Sequence, residues 1–155
     1  METKRKPRSE IMHPSHDYNQ LVQDLQKATQ GEYEAIEFYK ALSRLAPPDH
    51  IRYIEQIGRD ERSEHIVNFT KYYRQLTHRE PVLRPVTTLP TDYVAGVKKA
   101  IDDEQEAADF YQKVYLRSRD PYVRGLFFEA MTDEMRHATR LAFLYSNYFL
   151  EQGKI

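Results

Sequence analysis

Apolar residues recur every three or four positions through four long segments, the period of helices that each bury one face. The first segment, about Asp17 to Ala46, puts Leu21, Leu25, Ala28, Ala35 or Ile36, Tyr39 and Leu42 on one stripe. Pro47-Pro48 ends it, because proline disfavours helical geometry in the residue before it. So short a connection makes the second segment, about Asp49 to Leu76, an antiparallel neighbour of the first. A third helix is expected from an N-cap at Thr91 to about Ser118, with Val94, Val97, Ile101, Ala108, Tyr111 and Val114 or Tyr115 inward. The fourth starts at Asp120-Pro121, a capping side chain followed by a first-turn proline, and ends near Gly153. Its stripe is Val123, Phe127, Ala130, Leu141, Leu144 and Tyr148.

Residues 77–90 hold three prolines and almost no helical pattern. At about 3.3 Å per residue this segment reaches about 46 Å, and a 28-residue helix is about 42 Å long. The connection can therefore travel the whole bundle and start helix three parallel to helix two. An all-α four-helix bundle over 17–152 follows, built from helix pairs 17–76 and 91–152 with one long crossover at 77–90. Residues 1–16 carry Lys4, Arg5, Lys6 and Arg8 with little that is apolar, and read as a disordered basic tail in which His13 and His16 are solvated.

Charge interrupts the stripes at matching places. Glu32 continues the stripe of helix one and Glu104 that of helix three, while Glu134 and His137 fall on the inward face of helix four. A buried carboxylate needs a positive partner, a metal or a proton, because leaving it unpaired costs several kcal/mol. The pattern also repeats. A shift of 72 lays Gly31-Glu32-Tyr33-Glu34-Ala35-Ile36-Glu37-Phe38-Tyr39 over Asp103-Glu104-Gln105-Glu106-Ala107-Ala108-Asp109-Phe110-Tyr111 with five of nine positions identical. Without a gap it also lays His65 over His137 and Glu61 over Asp133. Each helix pair thus brings one inward glutamate and one inward histidine.

Gly31-Glu32-Tyr33, Glu104 and Asp133-Glu134-Met135-Arg136-His137 carry a resemblance to the ferritin-like superfamily, closest in kind to rubrerythrin-type and related bacterial ferritin-like proteins without a rubredoxin domain. It covers about residues 17–152. The resemblance implies a ferritin-like bundle with a mid-bundle site, one glutamate each from helices one and three and Glu-x-x-His from helices two and four. It implies iron chemistry with dioxygen or peroxide, and homodimers. It makes Glu32, His65, Glu104, Glu134 and His137 metal ligands, and Asp133 an acceptor for a histidine ring N–H on the facing helix.

Helix two departs from that pattern. Under the ungapped repeat, Arg62 stands where helix four has Glu134, in the run Asp60-Glu61-Arg62-Ser63-Glu64-His65. Three readings follow. Glu61, four before His65, supplies the missing ligand if helix two rotates or slips. Alternatively, Glu61 takes the place matching Asp133, and the site holds one metal ion or binds two weakly. Lastly, Arg62 turns inward and pairs with Glu32, Glu104 or Glu134, leaving a metal-free structural or interaction bundle.

The remaining composition narrows the chemistry. Net charge is −1, which gives no global support for binding nucleic acid or membrane. No apolar run approaches the roughly 20 residues that span a bilayer, and with no apolar leader at the N-terminus a cytoplasmic protein is expected. Cysteine is absent, which excludes disulfides, Cys-ligated zinc and a rubredoxin-type centre within these residues, so any electron donor is a separate partner. Carboxylates with two imidazoles suit Fe, Mn or, less selectively, Zn. The reading is a di-iron oxidoreductase that oxidises Fe(II) or reduces peroxide or O2, with two ions if the site is intact; the rival is the metal-free bundle, and cage-type iron storage a weaker third. Tyr39 and Tyr111 are either core filler or hydrogen-bonding neighbours of a metal. His50 and His78 lie near helix ends and read as surface or helix-dipole residues.

Overall fold

With Gly at only five positions and long uninterrupted stripes, the chain forms four helical rods and, among the described residues, no strand. The computed structural model describes residues 16–153. The basic segment and His13 therefore lie outside the described residues, except for His16, which starts the first helix. Rod one is α1 (His16–Ser43). Rod two is continuous over 48–77 but changes pitch, with α2 (Pro48–Asp60), a π-helical turn (Glu61–His65) and α3 (Ile66–Thr77). Rods three and four are α4 (Tyr93–Arg117) and α5 (Pro121–Glu151). The cap of α4 is Asp92 rather than Thr91: its carboxylate accepts the Ala95 amide at 2.7 Å. Among the described residues no helix is long and apolar enough to cross a membrane.

Cross-rod contacts fix the directions. Going down α1, Asp24, Glu32 and Tyr39 meet Arg117, Tyr111 and Glu104 in turn, so α1 and α4 are antiparallel. Leu42 comes so close to Gly96 that a Cβ there would stand 2.6 Å from Leu42 Cδ1. Asp60 and His65 likewise meet His137 and Asp133, so rod two opposes α5. The Tyr18 hydroxyl near the start of α1 donates to the Leu76 carbonyl near the end of α3 at 2.7 Å, so rods one and two are antiparallel as well. Rod two and α4 therefore run parallel, as a full-length crossover requires.

That crossover is held by amide side chains of α1. Gln26 donates to the Val82 carbonyl at 2.7 Å and accepts its amide at 2.9 Å; Gln30 does the same with Arg84 at 3.2 and 2.8 Å. Four helical residues rise about 6 Å and two extended residues about 6.6 Å, so the two spacings match. Backbone groups that would otherwise depend on water are satisfied in this way.

Two apolar clusters flank a polar middle layer. One contains Leu42, Ile54, Ile57, Val97, Leu141 and Leu144; the other contains Leu25, Phe69, Val114, Val123, Phe127 and Ala130. They are equivalent halves of the internal repeat. In rod two, however, the correspondence changes at the π turn. Before it, Pro48, His50, Ile54, Ile57, Asp60 and Glu61 match Pro121, Val123, Phe127, Ala130, Asp133 and Glu134 at a shift of 73. After it, His65 and Phe69 match His137 and Leu141 at 72. His50 thus occupies the place of the buried Val123 and is itself buried, with Nδ1 2.7 Å from the Tyr93 hydroxyl, instead of lying at the surface.

Between its opening proline and its inward histidine (Pro48 to His65) rod two carries one residue more than rod four does (Pro121 to His137), and the π turn absorbs it. Its signature is the Ile66 amide bonded to the Glu61 carbonyl, five residues back. Without that turn, the four-residue steps from Glu61 to His65 to Phe69 would each overshoot the inner face by about 40°. Arg62 consequently points outward and is exposed. Deleting Ser63 would give Asp-Glu-Arg-Glu-His, the spacing of Asp133 to His137. The deletion variant is expected to fold as an unbroken α-helix, with a Tm by circular dichroism within about 4 °C of the parent. Loss of cooperative melting would contradict the register.

Candidate metal centre

The polar layer is made by inward positions of all four rods. Glu32 comes from α1, Glu61 and His65 from the π turn, Glu104 from α4, and Glu134 and His137 from α5; all six are buried. Their ligand atoms fall into two sets, Glu32, Glu61, His65 and Glu134, and Glu61, Glu104, Glu134 and His137. Within each set the atoms lie within 4.8 Å of one another, and Glu61 and Glu134 belong to both. Each outer set has one glutamate and one histidine of its own, so the pseudo-symmetry of the chain passes through the site.

The imidazoles are oriented from behind. His65 Nε2 lies 3.0 Å from Asp133 Oδ2, and His137 Nε2 lies 3.1 Å from Asp60 Oδ2. A carboxylate accepts, so each Nε2 carries the donated proton and each Nδ1 faces the centre. There His65 Nδ1 is 3.4, 3.2 and 3.1 Å from oxygens of Glu32, Glu61 and Glu134. His137 Nδ1 is 2.9, 3.7 and 3.4 Å from oxygens of Glu61, Glu104 and Glu134. A lone pair facing carboxylate oxygens is repulsive unless a cation stands between them, whether a proton on Nδ1 or a metal ion.

The carboxylates are held as well. The Tyr39 hydroxyl donates to Glu104 and the Tyr111 hydroxyl to Glu32, each tyrosine reaching across to the other helix. Both tyrosines are therefore hydrogen-bonding neighbours of the cluster. Burial, then the facing glutamates, pushes both phenols well above their ordinary range, so they remain donors. Glu32 Oε2, Glu61 Oε1 and Glu134 Oε1 are buried with no hydroxyl or amide donor; each faces a histidine Nδ1, at 3.4, 2.9 and 3.1 Å. Buried acceptors left to a cation alone are rare in folded proteins, and here all three belong to residues of the two sets.

Proton affinities show how the layer is neutralised without metal. Burial, then the charge on Glu61, raises Glu32 well above the usual carboxylate range; burial, then the hydrogen bond with Glu134, does the same to Glu104. Burial alone would raise Glu61 too, but hydrogen bonds with Glu32, His137 and His65 bring it below that range. Burial opposes the charged imidazole, yet hydrogen bonds outweigh it: Glu134 and Glu32 hold His65 protonated, and Glu104 and Glu134 hold His137 protonated. Protons thus stand where metal ions would.

Several residues stand elsewhere than the ungapped repeat placed them. Arg62 is exposed and forms no part of the cluster, so the reading in which its guanidinium replaces a metal is corrected. Glu61 takes the inward position, because the π turn carries the extra residue out of the face. Asp60 was missed, although Asp60-Glu61 repeats Asp133-Glu134 once a one-residue offset is allowed.

A proton-filled site has a pH signature of definite sign. The histidines, raised from 6.5, contribute stability that is fully present below about pH 6.5 and lost as pH rises toward their folded values. Raised Glu32 and Glu104 act in the same direction. In a chelator, the Tm should fall as pH rises from about 6 to 9; with a divalent metal it should hold or rise, because the metal displaces those protons. Identical profiles with and without metal would contradict this electrostatic picture.

Comparison with known proteins agrees with the architecture. The chain is 35% identical over 133 residues to the uncharacterised protein YhjR of Bacillus subtilis (strain 168), covering 85% of this chain and 88% of that one. Its fold matches a hypothetical protein from Pyrococcus furiosus with a TM-score of 0.74 at 22% identity, over 87% and 92% of the two chains. It also matches a conserved hypothetical protein from Mycobacterium tuberculosis with a TM-score of 0.73 at 18% identity, over 85% and 99%. The rubrerythrin family model matches residues 24–145, and the chain belongs to that family.

Proposed function

We propose that the protein is a non-haem di-iron oxidoreductase that oxidises Fe(II) or reduces peroxide or O2 in the bundle core. The observation that carries this is the pair of four-residue sets sharing Glu61 and Glu134, with both histidine Nδ1 atoms turned toward their carboxylates and three of those oxygens lacking any hydroxyl or amide donor. Glu32 and His65 would hold one ion, Glu104 and His137 the other, and Glu61 and Glu134 both. Oxygen-rich ligands with one imidazole per ion suit iron or manganese, and zinc less selectively. Two such ions, when bound, supply two electrons for O2 or peroxide without an organic cofactor.

The chain's own residues provide the setting. Four carboxylates could balance the charge of two divalent ions once the His65, His137, Glu32 and Glu104 protons have left. Asp60 and Asp133 keep each Nδ1 aimed at the centre, and Tyr39 and Tyr111 keep Glu104 and Glu32 in place. The flanking apolar clusters exclude water from both ends. A cavity of about 710 Å³ between α1 and α4, edged by Gly31, Ala35, Ala107 and crossover residues 85–88, reaches Glu32, Glu61, Glu104 and Glu134. A small oxidant enters by that side. Without cysteine in these residues, reducing equivalents come from a separate donor.

Anaerobic Fe(II) titration followed by O2 or peroxide tests the proposal. About two irons per chain should bind and oxidise. Asp60→Ala should weaken binding by about 10- to 100-fold, as loss of a residue that orients a ligand does, while the exposed Arg62→Ala should leave it unchanged. No iron uptake, or equal effects of the two substitutions, would sink it and favour a scaffold bundle.

A further inference from the structure

The outward faces of the rods differ in kind. The exposed face of α4 is mostly charged, with Lys98, Lys99, Asp102, Asp103, Glu106, Asp109 and Lys113. Down the outside of α5 runs an exposed stripe with no charge: Phe128, Thr132, Met135, Thr139, Phe143, Ser146 and Leu150, with Ala142 beside Phe143. Its four large members are 48%, 58%, 55% and 58% exposed, in a chain whose residues are 30% charged. These positions fall on one face at a period of 3.6, opposite the face that carries Glu134 and His137. An uncharged stripe that carries four half-exposed large apolar side chains along one face marks an interaction surface.

The stripe also has a palindromic order. Large and small side chains alternate outward from Thr139, so that Met135 balances Phe143, Thr132 balances Ser146 and Phe128 balances Leu150 at equal separations. A twofold axis through Thr139 would bring those pairs together across an antiparallel contact, with Thr139 facing its own copy. Self-complementarity of this kind is what an isologous interface demands and what an unrelated partner does not need.

We propose that a second copy of this chain packs on the outer face of α5, antiparallel about a twofold axis at Thr139. The size is adequate. Half-exposed large side chains offer on the order of 100 Å² each, so with the small residues between them each copy buries about 600 Å², and the pair about 1,200 Å². That reaches the lower end of stable interfaces. The small residues Thr132, Thr139 and Ser146 let the helix axes approach to about 8–10 Å. The segment 1–15 contains Met1, Ile11 and Met12 as its only large aliphatic residues, too few to cover a stripe about 33 Å long.

Because the protein lacks cysteine, introduced thiols report the register cleanly. The full chain should sediment at about twice 18.5 kDa at micromolar concentration, and Met135→Glu should return it to the monomer with unchanged far-UV helicity. Under mild oxidation, Thr139→Cys alone should crosslink to itself. Ser146→Cys alone should not, since its two copies would lie about 21 Å apart along the axis, but mixed with Thr132→Cys it should form the mixed dimer. A monomeric parent, a dimer that survives Met135→Glu, or self-crosslinking of Ser146→Cys as fast as that of Thr139→Cys would each overturn the proposal.

Discussion

Four carboxylates and two imidazoles buried in one layer cannot remain there as bare charges. Ions taken from water into a protein interior cost several kcal/mol each unless they are paired. Here the pairing is incomplete by design of the backbone: each imidazole spends its Nε2 proton on an aspartate behind it, which leaves Nδ1 among oxygens. Only cations satisfy that arrangement. Protons serve in the metal-free state, and the donor set also suits metal ions, because three of its oxygens meet no hydroxyl or amide donor. Much of the rest of the structure secures this layer, from the apolar clusters on either side to the tyrosines that cross between α1 and α4.

Pseudo-symmetry explains how so short a chain assembles the layer. Each helix pair contributes one tyrosine, one outer glutamate, one shared glutamate, one histidine and one orienting aspartate. Tyr39 serves Glu104 and Tyr111 serves Glu32; Asp60 serves His137 and Asp133 serves His65. Every such contact joins the two halves, so neither half completes the site alone. The crossover makes this geometry possible, since it brings α4 back antiparallel to α1. The Gln26 and Gln30 amides hold it there without a sheet or a helix of its own.

The helices, the crossover and five of the six clustered residues were legible in the sequence, because inward positions recur at 3–4 spacing, and repeat at a shift of 72, in a chain with few glycines. Glu61 was harder. Hydrophobic periodicity presumes a constant pitch, and an ungapped repeat presumes equal spacing, whereas rod two holds one residue more between Pro48 and His65 than rod four does between Pro121 and His137. The π turn hides that residue without breaking the rod, so Arg62 fell where Glu134 has its counterpart. Asp60 was obscured by the same offset, and burial of His50 by its place near a helix end. In each case the signal was present: Pro48, Ile54, Ile57 and Asp60-Glu61 match rod four at a shift of 73 rather than 72.

Crystals grown with Fe(II) and measured on both sides of the iron absorption edge probe the layer directly. Two anomalous peaks are expected, one among Glu32, Glu61, His65 and Glu134 and one among Glu61, Glu104, Glu134 and His137, with Nδ1 of each histidine toward its peak. A single peak, none, or histidines turned so that Nδ1 faces Asp60 or Asp133 would contradict a layer built around paired cations.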